Sequence, residues 1–214
     1  MDNIHLTNLG IFFIRRPKFS LIIFELLFKQ LVTYDHQLFR VINHDWHNPF
    51  FTWLMPWMRN EVLWYPMYLL LIIFVLVNYK KTGWIWVLGA VLTVTCTDII
   101  SSTFIKENIW RLRPCNNPEY SSWINILVGY RPQSSGFTSS HAANHFGMAT
   151  FLYFTLIKKF KTWPLVFFLW AFLICYAQVY VGVHYPGDTV AGALIGILIG
   201  YLPARAFNRN YGLD

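Results

Sequence analysis

The chain has 214 residues with a formal net charge of +7, yet only 13% of them are charged while 56% are apolar and 19% aromatic. Soluble domains carry roughly 25% charged residues, and the apolar excess here is gathered into long runs rather than spread along amphipathic faces. Composition therefore excludes an ordinary soluble domain and points to an integral membrane protein. The length suits one domain, residues 1–214, with an N-terminal region over 1–50 and a core over 60–207.

In chain order, Arg15, Arg16 and Lys18 are expected to face lipid headgroups. The stretch 19–42 is apolar but carries Glu25 and Lys29, and its second half is amphipathic, so it either spans the bilayer or lies in the interface. No small-residue cleavage site follows it, and it is expected to stay in the mature chain. Five further segments reach the roughly 20 residues that cross a bilayer core: 62–79, 84–105, 141–157, 163–181 and 189–207. Tryptophans 53, 57, 64, 84, 86, 110, 123 and 163 lie near the ends of these runs, as interfacial anchors do. In the last run Gly192, Gly196 and Gly200 recur every fourth residue, a pattern of close helix packing rather than of a dedicated dimer face. Cys96, Cys115 and Cys175 form neither a paired framework nor a metal-ligand spacing.

Following the runs back and forth places Lys80, Lys81, Lys158, Lys159, Lys161, Arg205 and Arg209 on one face, opposed only by Asp214. The positive-inside rule makes that face cytoplasmic. A nucleic-acid partner is excluded, because the basic residues are divided between two sides of a membrane. The opposite face, periplasmic or extracellular, receives Lys106, Arg111 and Arg113 after one run, Ser139–His141 before the next, and His184 and Asp188 between the last two.

These clusters, far apart in sequence, make one composite site. Lys106, Arg111 and Arg113 supply positive charge, and a guanidinium fork suits phosphate oxygens. The backbone N–H groups at Ser139–His141 begin a helix and favour an anion. His184 and Asp188 are four residues apart, a spacing at which a carboxylate can hold an imidazole's proton and orientation. An oriented imidazole can attack phosphorus while the second histidine protonates the leaving oxygen, which is phosphoryl transfer without a metal or cofactor.

The same residues resemble the three signatures of the type-2 phosphatidic acid phosphatase (PAP2) family. KENIWRLRP (106–114) is similar to Lys, six residues, Arg-Pro; TSSH (138–141) to Pro-Ser-Gly-His; AQVYVGVHYPGD (177–188) to Ser-Arg, five residues, His, three residues, Asp. The resemblance implies an all-α, multi-pass membrane bundle of about six transmembrane helices with a PAP2/haloperoxidase-like core. It implies that His184 is the nucleophile, Asp188 its orienter and His141 the general acid, with Lys106, Arg113, Ser139 and Ser140 holding phosphate. The expected activity is removal of phosphate from a lipid phosphate or diphosphate at the outer face of the plasma membrane, and candidate substrates include undecaprenyl diphosphate, phosphatidylglycerol phosphate and lipid A phosphates.

The chain departs from the signatures at Thr138, at Ser140, which keeps the backbone N–H group of the glycine it replaces, and at Ala177 and Gln178. Gln178 stands where the family's phosphate-binding arginine would be and donates a hydrogen bond without charge; Arg111 or Arg131 is then a candidate for the missing cation. Of the other histidines, His5, His36, His44 and His47 read as interfacial, and His145 as a second layer behind His141 or as packing. Asp98, inside an apolar run, either pairs with Lys106 or makes a structural hydrogen bond. Two further functions share these signatures: vanadate-dependent halide oxidation, disfavoured by the dense apolar spans, and a lipid-phosphate carrier or scaffold that binds without turnover. No oligomeric state follows from the sequence.

Overall fold

The computed structural model describes residues 19–213, so His5, Arg15, Arg16, Lys18 and Asp214 lie outside the described residues. Six α-helices make up the described chain, with no strand among its residues: α1 Phe19–Arg40, α2 Pro49–Met58, α3 Tyr65–Asp98, α4 Ser140–Phe160, α5 Val166–Tyr180 and α6 Pro186–Asn210. The described residues divide into two compact units that part between Tyr34 and Asp35. In the first, α1 exposes Phe24, Leu26, Leu27, Phe28 and Leu31, and its Glu25 and Lys29 pair at 2.7 Å one turn apart. The stretch read as spanning or interfacial is thus a continuous helix, though not one of the described segments apolar enough to span by composition.

Three segments of the second unit are long and apolar enough to cross a membrane: Glu61–Ile105, Trp163–Tyr180 and Pro186–Asn210. The first has 45 residues, which as one straight helix would reach ~67 Å, more than twice the roughly 30 Å bilayer core. It does not run straight. Lys80 takes φ 47°, ψ −116°, the geometry of the first central residue of a type II′ turn. The chain reverses there so sharply that a Cβ on Gly83 would lie 2.6 Å from the Val75 carbonyl oxygen. Two spans, 65–79 and 81–98, therefore come from what is formally one helix. A second lysine, Lys161, turns the chain after α4 with φ 53°, ψ −121°.

α4 is the central helix. Its Ala142, Ala143, Gly147, Ala149, Phe151 and Leu152 are buried, and α3, α5 and α6 surround it. Being wrapped by protein rather than lipid, it can carry Ser, Asn and His in its first turns without a solvation cost. The glycine stripe of α6 makes the closest contact: a Cβ at Gly192, Gly196 or Gly200 would overlap the carbonyl oxygens of Ser139, Ala143 and Gly147 in turn. Small residues spaced four apart on both helices let the backbones meet. The packing reading of the glycines is thus the one observed, while Val190, Leu194, Leu198 and Leu202 expose the other face of α6. Among the tryptophans Trp86 departs from the interfacial expectation, being buried with its indole N–H donating 2.9 Å to Thr155 Oγ1.

Close packing of α4 on α6 sets the register at the end where both helices begin, and Ser139 N–H donates to the Asp188 carbonyl at 3.1 Å. The long segment between α3 and α4 is pinned over that end by Asn43. Its side chain donates to Asn125 O and Tyr180 O, each at 2.7 Å, and accepts from Asn125 N–H at 2.9 Å. Gly182, at φ 88°, closes α5 against Asn125 and turns the chain toward His184.

Candidate active site

Three of the sequence clusters meet at this end. Between α3 and Lys106, residues Ile99–Ile105 form a wide π-type helix, a distortion that often marks functional sites. Lys106 leaves it to donate 2.7 Å to Ser140 Oγ. The alternative pairing of Asp98 with Lys106 is not made: Asp98 accepts instead from Asn144 Nδ2 at 3.2 Å and from Ser102 Oγ at 3.3 Å, because the widened turn carries Lys106 across to α4. Burial, with Arg113 nearby, draws the Lys106 ammonium down to about 8.

Arg113 is buried, and every donor direction of its guanidinium is used. Nε donates to Ser134 O at 2.8 Å, Nη2 to Ser134 Oγ and Ser135 O at 3.1 Å each, and Nη1 to Val183 O at 3.2 Å and His184 Nε2 at 3.0 Å. Burial lowers its pKa from the usual arginine value, but a guanidinium keeps its charge in proteins. It must then be the donor toward His184, so Nε2 accepts and the ring proton sits on Nδ1. That nitrogen faces Asp188 Oδ2 at 3.5 Å, longer than a formed hydrogen bond. Burial, with Arg113 and Lys106 against its charge, holds His184 down at about 4 despite Asp188. The imidazole is therefore neutral at pH 7.

Asp188 is fully buried in the first turn of α6. Oδ2 accepts from Tyr185 N–H at 2.9 Å, capping its own helix, and Oδ1 accepts from Arg111 Nη1 at 2.6 Å. The other fork of Arg111 reaches Asp35 Oδ2, also at 2.6 Å. Burial opposes the Arg111 charge, but Asp188 and Asp35 more than offset it and raise the guanidinium above its ordinary value. Arg111, weighed as a replacement cation for the Gln178 position, is thus committed to two carboxylates. Arg131 is exposed and makes no side-chain bond to the cluster.

Gln178 itself is buried on α5, and neither its amide oxygen nor its nitrogen has a partner among the described residues; the same holds for Thr138 Oγ1 and His184 Nδ1. Ser139 caps α4, its hydroxyl accepting from Ala142 N–H at 3.4 Å. His141 stands apart from these contacts: its Nε2 lies 3.1 Å from Glu61 Oε1. His145, one turn on, is packing, with Nδ1 2.7 Å from His141 O and its ring edge-on to Trp170. Both histidines line an apolar cleft of about 390 Å³ between the two arms of α3 and α4, walled by residues such as Val87, Ala90, Val94 and Met148.

Asp35, Glu61 and Ser135 are the residues that sequence reasoning passed over. Ser135 Oγ accepts from Arg111 N–H at 3.0 Å and donates to Ile109 O at 2.7 Å, bracing the segment of basic residues. Asp35 carried one signal, an acidic side chain in an otherwise greasy segment; its partners lie 76 residues or more away, beyond any periodicity.

A neutral buried imidazole between a carboxylate and a guanidinium, with an ammonium and a helix N-terminus at the same end of the molecule and an apolar cleft lined by His141, suits a membrane-embedded lipid phosphatase. The sequence profile of the PAP2 superfamily matches residues 83–211, more than half of the chain, and the chain belongs to that family. It is 39% identical over 160 residues to a lipid A 4'-phosphatase of Bacteroides thetaiotaomicron, covering 73% of this chain and 69% of that protein. It is 31% identical over 126 residues to a lipid A 4'-phosphatase of Porphyromonas gingivalis, covering 58% of this chain and 52% of that one. Its fold matches the crystal structure of a transmembrane PAP2-type phosphatidylglycerolphosphate phosphatase from Bacillus subtilis with a TM-score of 0.69 at 19% identity, covering 91% of this chain and 96% of the other.

Proposed function

We propose that this protein removes phosphate from lipid A, at the outer face of the membrane, through a phosphohistidine. The observation that carries the reading is the His184 ring, neutral and held with Nδ1–H toward Asp188 and the Nε2 lone pair toward Arg113. A substrate phosphate oxygen takes over the Arg113 Nη1 donation, and Nε2 attacks phosphorus as the bond to the lipid oxygen breaks. His141 gives its proton to that oxygen. Water, deprotonated by the same His141, then attacks the phosphohistidine, releasing inorganic phosphate and restoring both rings. Lys106, the N–H groups at Ser139 and Ser140 and the amide of Gln178 neutralise or bind the phosphoryl oxygens. Asp188 stabilises the positive charge that His184 gains.

The lipid part is read from the cleft: His141, the proton donor to the leaving oxygen, lies on its wall, so the departing lipid is directed into apolar space. The headgroup is read from the two lipid A phosphatases named above, and the face from the gathering of Lys80, Lys158 and Arg205 away from the site. The test is phosphate release from lipid A, phosphatidylglycerol phosphate and undecaprenyl diphosphate in detergent micelles, with chelator present and His184→Gln as control. Release from lipid A first, with an acid-labile phosphoenzyme lost in the variant, is expected. Binding of a lipid phosphate without release would replace the phosphatase with the carrier reading.

A further inference from the structure

We infer that Asp35 and Arg111 are positioning residues for catalysis, a carboxylate–guanidinium pair that clamps Asp188 and lets its charge act on His184. The inference rests on the reading of His184 as nucleophile and Asp188 as its partner. A carboxylate as buried as Asp188 needs partners for both oxygens. Oδ2 has Tyr185 N–H and faces His184; Oδ1 has Arg111 alone, at 2.6 Å. Arg111 in turn is held on three sides: by Asp188, by Asp35 at 2.6 Å, and by the Tyr185 ring, whose centroid lies 4.3 Å beneath the guanidinium carbon.

Asp35 closes the arrangement onto α6. Its Oδ1 accepts from Gly187 N–H at 2.6 Å, one residue before Asp188. A Cβ at position 187 would stand 2.9 Å from Asp35 Oδ2, so the glycine is what admits the carboxylate. Charge explains why a second acid is present. Alone, Arg111 and Asp188 would form a neutral pair, and Asp188 would do little for an imidazole turning positive. With Asp35 sharing the guanidinium, the trio carries net negative charge beside His184. The other charged or titratable groups around the pair are Lys106, Arg113, Tyr185, Tyr120, Glu119 and His36, which stacks on Tyr185 at 4.6 Å.

The experiment compares wild type, Asp35→Asn and Arg111→Gln in the full-length, detergent-purified protein. Phosphate release from lipid A gives kcat, KM and the pH profile, and ¹⁵N NMR of histidine-labelled protein follows the His184 tautomer and titration without any substrate. Both variants should lower kcat by ~10–100-fold with KM nearly unchanged, as loss of a residue behind a reacting group does. Their acid limbs should move in opposite directions by about half a pH unit: Asp35→Asn toward lower pH, because Arg111 then cancels more of Asp188, and Arg111→Gln toward higher pH. Shifts of the two limbs in the same direction, or wild-type values in both variants, would overturn the inference. If wild type releases phosphate from no lipid, the proposed function fails, and the ¹⁵N titrations still decide between opposite shifts, which uphold the clamp, and none, which removes it.

Discussion

The two ends of the second unit handle charge in opposite ways. At the end where α4 finishes, the turns are short and their lysines are unpaired: Lys80 and Lys161 hold positive φ with no ion pair among the described residues. At the other end a segment of more than thirty residues folds over the helix termini, and there Arg111 and Asp188 are paired while the buried Arg113 has every donor met by carbonyls, a hydroxyl and an imidazole. Exposed charge interacts weakly and mainly orients the chain in the membrane. Buried charge is costly unless every donor and acceptor is met, which is why it survives where chemistry uses it.

The largest test of that contrast is Arg113→Ala. It leaves Val183 O, Ser134 O and Ser135 O without their donor and frees the His184 ring, so phosphate release should fall by at least ~10²-fold and stability by ~1–3 kcal/mol, checked by turnover and thermal unfolding in detergent. Lys158→Ala, at the opposite end, should alter neither measurably. Gly196→Leu comes next. The side chain would be driven into Ala143 O, separating α4 from α6 and costing about 3 kcal/mol or more by overpacking; melting temperature and activity should drop together, while Leu198→Ala on the lipid-facing side of α6 should do far less.

The pH profile of kcat/KM sharpens the comparison further. His184 must be neutral to attack, so activity should be lost as pH falls through about 4. Lys106 must be charged to hold phosphate, so the alkaline limb should lie no higher than about 8. The smallest effect belongs to the basic turns. Lys80→Gly relieves a backbone geometry that favours glycine and should stabilise the fold by ~1 kcal/mol with unchanged turnover, read by chemical denaturation and phosphate release.

Much of this architecture is legible in residue order. The spans 84–105, 141–157, 163–181 and 189–207 correspond closely to helices, because an apolar run of bilayer length has one stable backbone state in lipid. The break between 62–79 and 84–105 was also visible as a polar interval, although it is a two-lysine reversal rather than a loop. His184 and Asp188 meet because a separation of four residues across a helix start is local. By contrast, Trp86 gave the signal of an interfacial anchor and proved to be core, since position near the end of a run does not say which side faces lipid.

Residue types alone were enough for the membrane character and the helices, since transfer into lipid is a property of side chains wherever they stand, and they nominate the cluster proposed to hold phosphate. The partners of the two arginines were a matter of long-range packing. Arg111 and Arg113 are two residues apart and chemically identical, yet one holds Asp35 and Asp188 while the other holds His184. In an extended segment alternate side chains point to opposite sides only until the backbone bends. Here the contacts that Ser134, Ser135, Asp35 and the start of α6 make from far along the chain give each guanidinium its own carboxylate or imidazole.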